Sequence, residues 1–187
     1  MANFIYLFRH GESEDNRQHI FSGWRDPGLS EKGEIDSQEL AELLKNKRID
    51  LFISPNLKRN LGTVKEIKKY HPSVRVEIDD RVKERCYGDL QGGYHLDLMR
   101  PDLESYLIYH RSYDVPPPNG ESIKMVEERV TPFYKELLDR IEKEKINIAV
   151  CAGNNAMRVL RRFLENLIVE EMIKIENPYD NYFEYQV

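Results

Sequence analysis

The sequence predicts an α/β fold of three layers, in which a mostly parallel central sheet is covered by helices on both faces. Short apolar runs rich in β-forming residues alternate along the chain with amphipathic stretches at helical spacing. Strands that alternate with helices in this way build parallel sheets buried on both sides. The 187 residues, of which 40% are hydrophobic, can bury a sizeable core and suit one domain over residues 1–187.

Five runs are predicted strands, because each is short, apolar and rich in β-branched or aromatic residues. The last of them is expected to lie at an edge of the sheet. In chain order they cover residues 3–8, 49–53, 74–78, 146–151 and 182–187.

Apolar residues spaced three and four apart predict longer helices between these strands. Ser30 is a candidate N-cap for the first helix, and Pro132 is expected to kink the third. The helices cover about residues 30–47, 57–67, 123–141 and 156–167. Residues 85–119 break this rhythm with three glycines and four prolines, so we expect a mixed insertion over the ligand-binding end of the sheet.

Composition and charge argue against several classes of protein. Lys and Arg total 28 against 33 for Asp and Glu, and this net charge of −5 does not suit a nucleic-acid partner. No apolar stretch approaches the ~20 residues of a membrane span. The two cysteines lack metal or disulfide spacing, and no cluster of ligand-type side chains predicts a metal ion. We therefore expect a cytoplasmic protein that uses no metal.

The residues after the first strand, Arg9-His10-Gly11, point to phosphate chemistry. Ligands of open α/β sheets bind where strands end and loops begin. A histidine there can attack phosphorus and form a phosphohistidine, while the Arg9 guanidinium can hold phosphate oxygens. A tripeptide of this kind is by itself more often an ordinary turn, so the interpretation depends on further motifs.

Two other side chains would reach the same end of the sheet. Arg59 lies near the start of the second predicted helix, where the helix N-terminus favours anions. The carboxyl group of Glu84 can act beside a phosphate pocket as general acid to a leaving oxygen and afterwards as base. Each of them, taken singly, is more often a solvated or ion-paired surface residue.

Together these motifs resemble the histidine phosphatase superfamily, and within it the cofactor-dependent phosphoglycerate mutases. The resemblance spans about residues 3–165. The segments that carry it are residues 9–13, 21–24, 29–33, 57–59, 84–92 and 111–118.

The resemblance implies a role for the matching residues. His10 is expected to be the nucleophile, Arg9 and Arg59 the phosphate ligands, and Glu84 the general acid and base. The candidate substrate-binding residues are Asn16, Ser22, Gly23, Tyr87, His95, His110, Arg111, Gly153 and Asn154. A small phosphorylated metabolite is the expected partner, 2,3-bisphosphoglycerate a candidate phosphoryl primer, and a homodimer a candidate assembly.

The chain departs from the family at its second histidine, which stands five residues before an arginine. Counting back from Arg158 gives Gly153, or Ala152 if one residue is inserted. In the family this histidine donates to the transferring phosphoryl oxygens. Three explanations are open. The chain is a variant of an active enzyme, or another donor such as His95, His110 or Asn154 substitutes, or the protein binds phosphometabolites without turnover.

His95 and His110 stand where the mutases carry a lysine and an arginine. Both imidazoles would titrate near neutrality, which predicts stronger ligand binding at about pH 6 than at about pH 8.

Three functions are consistent with the motifs and with these departures from the family. The first is phosphoglycerate mutase-like phosphoryl transfer, an isomerase activity of glycolysis. The others are a phosphomonoesterase, which is a hydrolase on the same scaffold, and a catalytically impaired binding protein.

Overall fold

A five-stranded sheet lies at the centre of the computed structural model, which describes residues 2–187 apart from the side chain of Arg111. The strand order is β3-β2-β4-β1-β5. The first four strands are parallel to one another, whereas β5 is antiparallel to β1. The strands are β1 Phe4–Arg9, β2 Leu51–Ser54, β3 Val76–Ile78, β4 Ile148–Ala152 and β5 Tyr182–Gln186. The predicted fold class is confirmed, and the pairing of the first and last strands supports the proposal of one domain.

The four predicted long helices are all present. Ser30 caps the first, since its Oγ accepts from the Gly33 N–H at 3.0 Å, and the third continues through Pro132. Within residues 2–187, no helix is both long and apolar enough to cross a bilayer. The helices are α1 Glu14–Arg17, α2 Glu31–Leu44, α3 Lys58–Ile67, α4 His95–Met99, α5 Leu103–Arg111, α6 Ile123–Glu144, α7 Asn154–Glu165 and α8 Val169–Met172.

The sheet separates two apolar cores, because successive side chains of a strand point to opposite faces. Ile5 and Leu7 of β1 pack with the buried faces of α6 and α7. Tyr6 and Phe8 pack on the other side with α2 and α3. This arrangement of helix, sheet and helix buries the central strands on both faces.

The strand register brings the predicted motifs to one edge of the sheet. Arg9 pairs with Ala152, so the next residues along β1 and β4, His10 and Gly153, leave the sheet side by side. The parallel strand β2 ends at Ser54 on the same edge and leads into α3. A candidate site therefore forms at this carboxyl edge, as open α/β sheets generally provide.

Candidate active site

His10 is buried at the end of β1 with its ring fixed in one orientation. Its Nδ1 lies 2.7 Å from the Gly11 carbonyl oxygen, so this nitrogen carries the proton and donates it. Its Nε2 accepts from Arg59 Nε at 3.1 Å. Burial, together with the charges of Arg59 and Arg9, holds the pKa of His10 well below 6.5. The ring is therefore neutral at neutral pH. Its Nε2 lone pair, which accepts from Arg59, can act as a nucleophile once phosphate oxygens engage the guanidinium in its place.

Two arginines place positive charge beside this nitrogen. Arg59, in the first turn of α3, is 1% exposed and donates to the carbonyl oxygens of Arg25 and Gly23, both at 2.8 Å. Arg9 lies over the ring of Tyr179, with 4.1 Å between its Cζ and the ring centroid. Two guanidinium groups held in this way are suited to the oxygens of a phosphate.

Glu84 is buried at the same place, and its carboxylate is held mainly through one oxygen. Oε1 accepts from the Arg85 N–H at 2.7 Å and from Asn155 Nδ2 at 2.7 Å. Burial by itself would raise the pKa of Glu84, but these hydrogen bonds, with the charges of Arg9 and Arg59, hold it below its usual range. The Glu84 carboxylate is therefore ionised at neutral pH.

These groups share an inner cavity of about 100 Å³, and an outer cavity of about 220 Å³ is lined in part by the same residues. The inner cavity has the size and charge for a phosphoryl group, and the outer cavity leaves room for the rest of a small metabolite. The predicted residues that line the inner cavity are Arg9, His10, Asn16, Ser22, Gly23, Arg59, Glu84, Tyr87, His95, His110 and Asn154.

Two predicted site residues do not appear in this lining. Gly153 is the N-cap of α7, and its N–H donates to the Val82 carbonyl oxygen at 3.0 Å, so its backbone is packed against the chain that carries Glu84. The side chain of Arg111 lies outside the described residues, and its predicted role stays a prediction.

The structure also brings to the two cavities residues that the sequence analysis did not assign to the site, among them His19, Ile20 and Phe21. Tyr179, Glu176 and Arg158 line the outer cavity, and Arg158 lies 3.2 Å from a carboxylate oxygen of Glu176. Tyr179 and Glu176 belong to the segment before β5, which has no helical or strand periodicity and matches none of the quoted motifs. No signal in the sequence would have found them.

Comparison with known proteins agrees with the geometry. The family model described as "Histidine phosphatase superfamily (branch 1)" matches residues 5–184. The chain belongs to the histidine phosphatase superfamily. It is 36% identical over 181 residues to a 2,3-bisphosphoglycerate-dependent phosphoglycerate mutase of Parvibaculum lavamentivorans, covering 94% of this chain and 86% of the relative. It is 38% identical over 181 residues to a phosphoglycerate mutase of Schizosaccharomyces pombe, covering 93% and 85%.

Solved structures share the fold of this superfamily member. A mycobacterial glucosyl-3-phosphoglycerate phosphatase superposes with a TM-score of 0.84 at 23% identity, over 98% of this chain and 90% of that one. The family match and the sequence relatives show that the chain is an enzyme of the phosphoglycerate mutase and histidine phosphatase type. Among residues 2–187 no group of three or more metal-ligating side chains is arranged around a common point, and independence from metals stays a prediction.

A glycine is needed at position 153 because there is no room for a side chain, and not because of its backbone angles. Its φ of −71° suits any residue, but an added Cβ would lie 2.3 Å from the backbone nitrogen of Glu84 and 2.4 Å from Glu84 Cα. We expect Gly153→Ala to lower the free energy of unfolding by about 1–3 kcal/mol, the usual cost of overpacking. Gly153→His shares this clash and would have to displace the backbone around Glu84, so it is not a simple repair of the family site.

Gly28→Ala is the matched control, because nothing lies within 4 Å of an added Cβ there. We expect Gly28→Ala to change stability by no more than about 1 kcal/mol, in the stabilising direction. Urea unfolding of both variants measures the difference. Equal stabilities would show that the segment around Glu84 yields freely to a side chain at position 153.

His95 forms part of an aromatic wall of the cavity. Its ring stacks on Phe21 with 4.0 Å between ring centroids and lies 5.2 Å from His110. Burial, with the nearby charge of His19, lowers the pKa of His95 from 6.5 to about 4. This corrects the expectation that His95 titrates near neutrality, because with this pKa its ring is neutral at both pH 6 and pH 8.

The lowered pKa of His95 predicts a loss of stability in mild acid. Between pH 4 and 6.5 the unfolded chain binds a proton at this residue that the folded chain does not, so stability rises with pH over this range. We expect the parent to lose more free energy of unfolding from pH 7 to pH 5 than a His95→Gln variant does. Urea unfolding at the two pH values measures this, and equal losses would contradict it.

Proposed function

We propose that this enzyme transfers a phosphoryl group from a small phosphorylated metabolite to His10 Nε2 and then passes it to a second acceptor, in the manner of a phosphoglycerate mutase. One observation carries the proposal. The bond from His10 Nδ1 to the Gly11 carbonyl oxygen leaves Nε2 as the nucleophilic nitrogen, inside a phosphate-sized cavity beside Arg59. The sequence relatives that carry the mutase name support the same reaction.

The first half-reaction uses groups that meet in the inner cavity. As the bond from His10 Nε2 to phosphorus forms, the bond from phosphorus to the leaving oxygen breaks, and Glu84 gives its proton to that oxygen. Glu84 carries this proton because a phosphate bound beside it adds a second negative charge and raises the pKa of its carboxyl group, so that the carboxylate takes up a proton from solvent as the substrate binds. Arg9 and Arg59 neutralise the charge of the phosphoryl oxygens.

In the second half-reaction the same bonds form and break in reverse order with a new acceptor. The oxygen of the acceptor hydroxyl attacks phosphorus while Glu84, now ionised, takes the proton of that hydroxyl. The bond from phosphorus to His10 Nε2 breaks, and His10 leaves as neutral imidazole. For a mutase the acceptor is a phosphoglycerate, and 2,3-bisphosphoglycerate is the proposed primer that charges His10 before the first turnover.

A phosphomonoesterase is the second candidate, and the wall of Phe21 and His95 favours it. With its lowered pKa, His95 supplies no positive charge at neutral pH to hold a second phosphate. In the outer cavity the charge of Arg158 is offset by that of Glu176. A substrate whose remainder carries little charge would suit these surroundings, and water would then be the acceptor.

The products of the labelled enzyme decide between the two candidates. The protein is incubated with ³²P-labelled 2,3-bisphosphoglycerate, and the denatured protein is tested for label that acid removes and base does not. Chase with 3-phosphoglycerate separates label passed to phosphoglycerate, the mutase result, from label released as inorganic phosphate, the hydrolase result. Binding of the ligand with no covalent label would overturn both candidates in favour of a non-catalytic binding protein.

The cellular location of this enzyme, the class of its ligands and its assembly are also proposals. We propose a cytoplasmic enzyme that acts on small metabolites and not on nucleic acid, consistent with the net charge of −5. The homodimer is likewise a proposal, and sedimentation equilibrium of the purified chain tests it.

A further inference from the structure

The position of the family's second histidine is occupied by Gly153, so the phosphoryl oxygens lack the donor that the family places there. We take Gly153 and not Ala152 as that position, because the strand register places Gly153 directly after β4 beside His10. Two histidines nearby are part of the aromatic wall. His95 is stacked on Phe21 with its Nδ1 3.5 Å from the Tyr106 hydroxyl, and the ring of His110 packs 5.0 Å from that of Tyr106. The residue next to Gly153 offers a different donor.

Asn154 has an amide whose orientation is determined by a chain of hydrogen bonds. The chain starts at Arg161, whose guanidinium can only donate, and Arg161 Nη1 lies 3.0 Å from Asn177 Oδ1. The Asn177 Nδ2 group must then face the other way, and it donates to Asn154 Oδ1 at 2.8 Å. The oxygen of the Asn154 amide is thereby turned toward Asn177, which leaves its Nδ2 group on the opposite side.

Asn154 also lines the inner cavity, with His10, Arg59 and Glu84. An asparagine with its oxygen already engaged presents N–H donors to that cavity. From this geometry we propose that Asn154 Nδ2 donates to a non-bridging oxygen of the transferring phosphoryl group, in place of the imidazole that is absent at position 153. The inference rests on the proposed function, since it assigns a catalytic residue to the same reaction.

The Asn154 amide replaces one function of the missing imidazole, which is hydrogen-bond donation. It supplies a fixed hydrogen-bond donor where charge must be held in the transition state, and it remains neutral at every pH of interest. One such donor commonly accounts for about a hundredfold to a thousandfold in rate. Because Asn177 and Arg161 hold the amide before substrate arrives, little reorganisation is needed during transfer.

The test replaces the donor without changing the shape of the side chain. In Asn154→Asp a carboxylate oxygen stands where the Nδ2 group was, and Asn154→Ala removes the amide altogether. We expect the single-turnover rate of His10 phosphorylation to fall about a hundredfold or more in both variants. Orthovanadate, which adopts the five-coordinate geometry of the transition state, should lose at least tenfold more affinity than inorganic phosphate does in Asn154→Ala.

Asn147→Asp is the matched control, because Asn147 is a buried asparagine at the opposite end of β4 that bonds the Arg48 carbonyl oxygen. It should leave the ratio of vanadate to phosphate affinity unchanged, even if it lowers stability. If the parent forms no phosphohistidine, the proposed function fails, whereas the vanadate measurement still tests Asn154. Unchanged vanadate affinity in a folded Asn154→Ala variant would overturn the role of Asn154 by itself.

Discussion

Replacing His10 with alanine is expected to abolish the covalent phosphoenzyme and to reduce turnover by at least about 10⁴-fold, as loss of a nucleophile usually does. The reason is positional. His10 Nε2 is the imidazole nitrogen whose proton-bearing partner, Nδ1, is tied to the Gly11 carbonyl oxygen, and it faces the cavity beside Arg59. Label from a ³²P donor, retained in base and lost in acid, measures the phosphoenzyme.

A second histidine variant shows that the loss is specific to the site. His71 lies at the end of the turn after α3, and its Nε2 contacts the Leu44 carbonyl oxygen at 3.1 Å, remote from the cavity. His71→Ala should label as the parent does. Equal labelling of His10→Ala and the parent would place the phosphoryl group on another residue and end the assignment.

Replacing Glu84 with glutamine is expected to slow transfer from alkyl phosphates about a thousandfold, within the usual range for general acid catalysis. An alkoxide leaves poorly without a proton, whereas p-nitrophenolate needs none. Transfer from p-nitrophenyl phosphate should therefore fall by less than about tenfold in Glu84→Gln. The ratio of the two single-turnover rates, compared between parent and variant, measures the contribution of the proton.

Glu12→Gln provides the control for this ratio. The Glu12 carboxylate lies close in sequence to His10, but its Oε1 accepts from the Ser30 hydroxyl at 2.8 Å, and the side chain does not line either cavity. The ratio of rates should stay at the parent value in Glu12→Gln. If Glu84→Gln slowed both substrates by the same factor, Glu84 would hold the site in shape without donating the proton.

Much of this enzyme could be predicted from its sequence, because the relevant signals are local. Alternation of apolar runs with helical periodicity predicted the order of strands and helices, and Ser30 predicted the start of α2 through the chemistry of its own side chain. The motif residues His10, Arg59 and Glu84 were predicted from their positions after strands and from the family resemblance. The structure brings all three to one cavity, since parallel strands end at a common edge.

Other features depend on contacts between residues far apart in the chain, which no local pattern encodes. Tyr179 and Glu176 reach the outer cavity only because the segment before β5 folds back over the carboxyl edge of the sheet. From the sequence, His95 is expected to titrate near neutrality. In the folded chain its ring is buried against Phe21, and this burial lowers its pKa to about 4.

The residues around the missing histidine show most clearly the difference between what the sequence determines and what depends on the folded structure. The sequence by itself determined that a glycine stands at position 153 and an asparagine after it. Only the tertiary structure decided that the Glu84 backbone fills the space a side chain at 153 would need. It also decided that Asn177, 23 residues away, turns the Asn154 amide. Packing and hydrogen-bond direction arise from neighbours in space, so they exist only once the chain has folded.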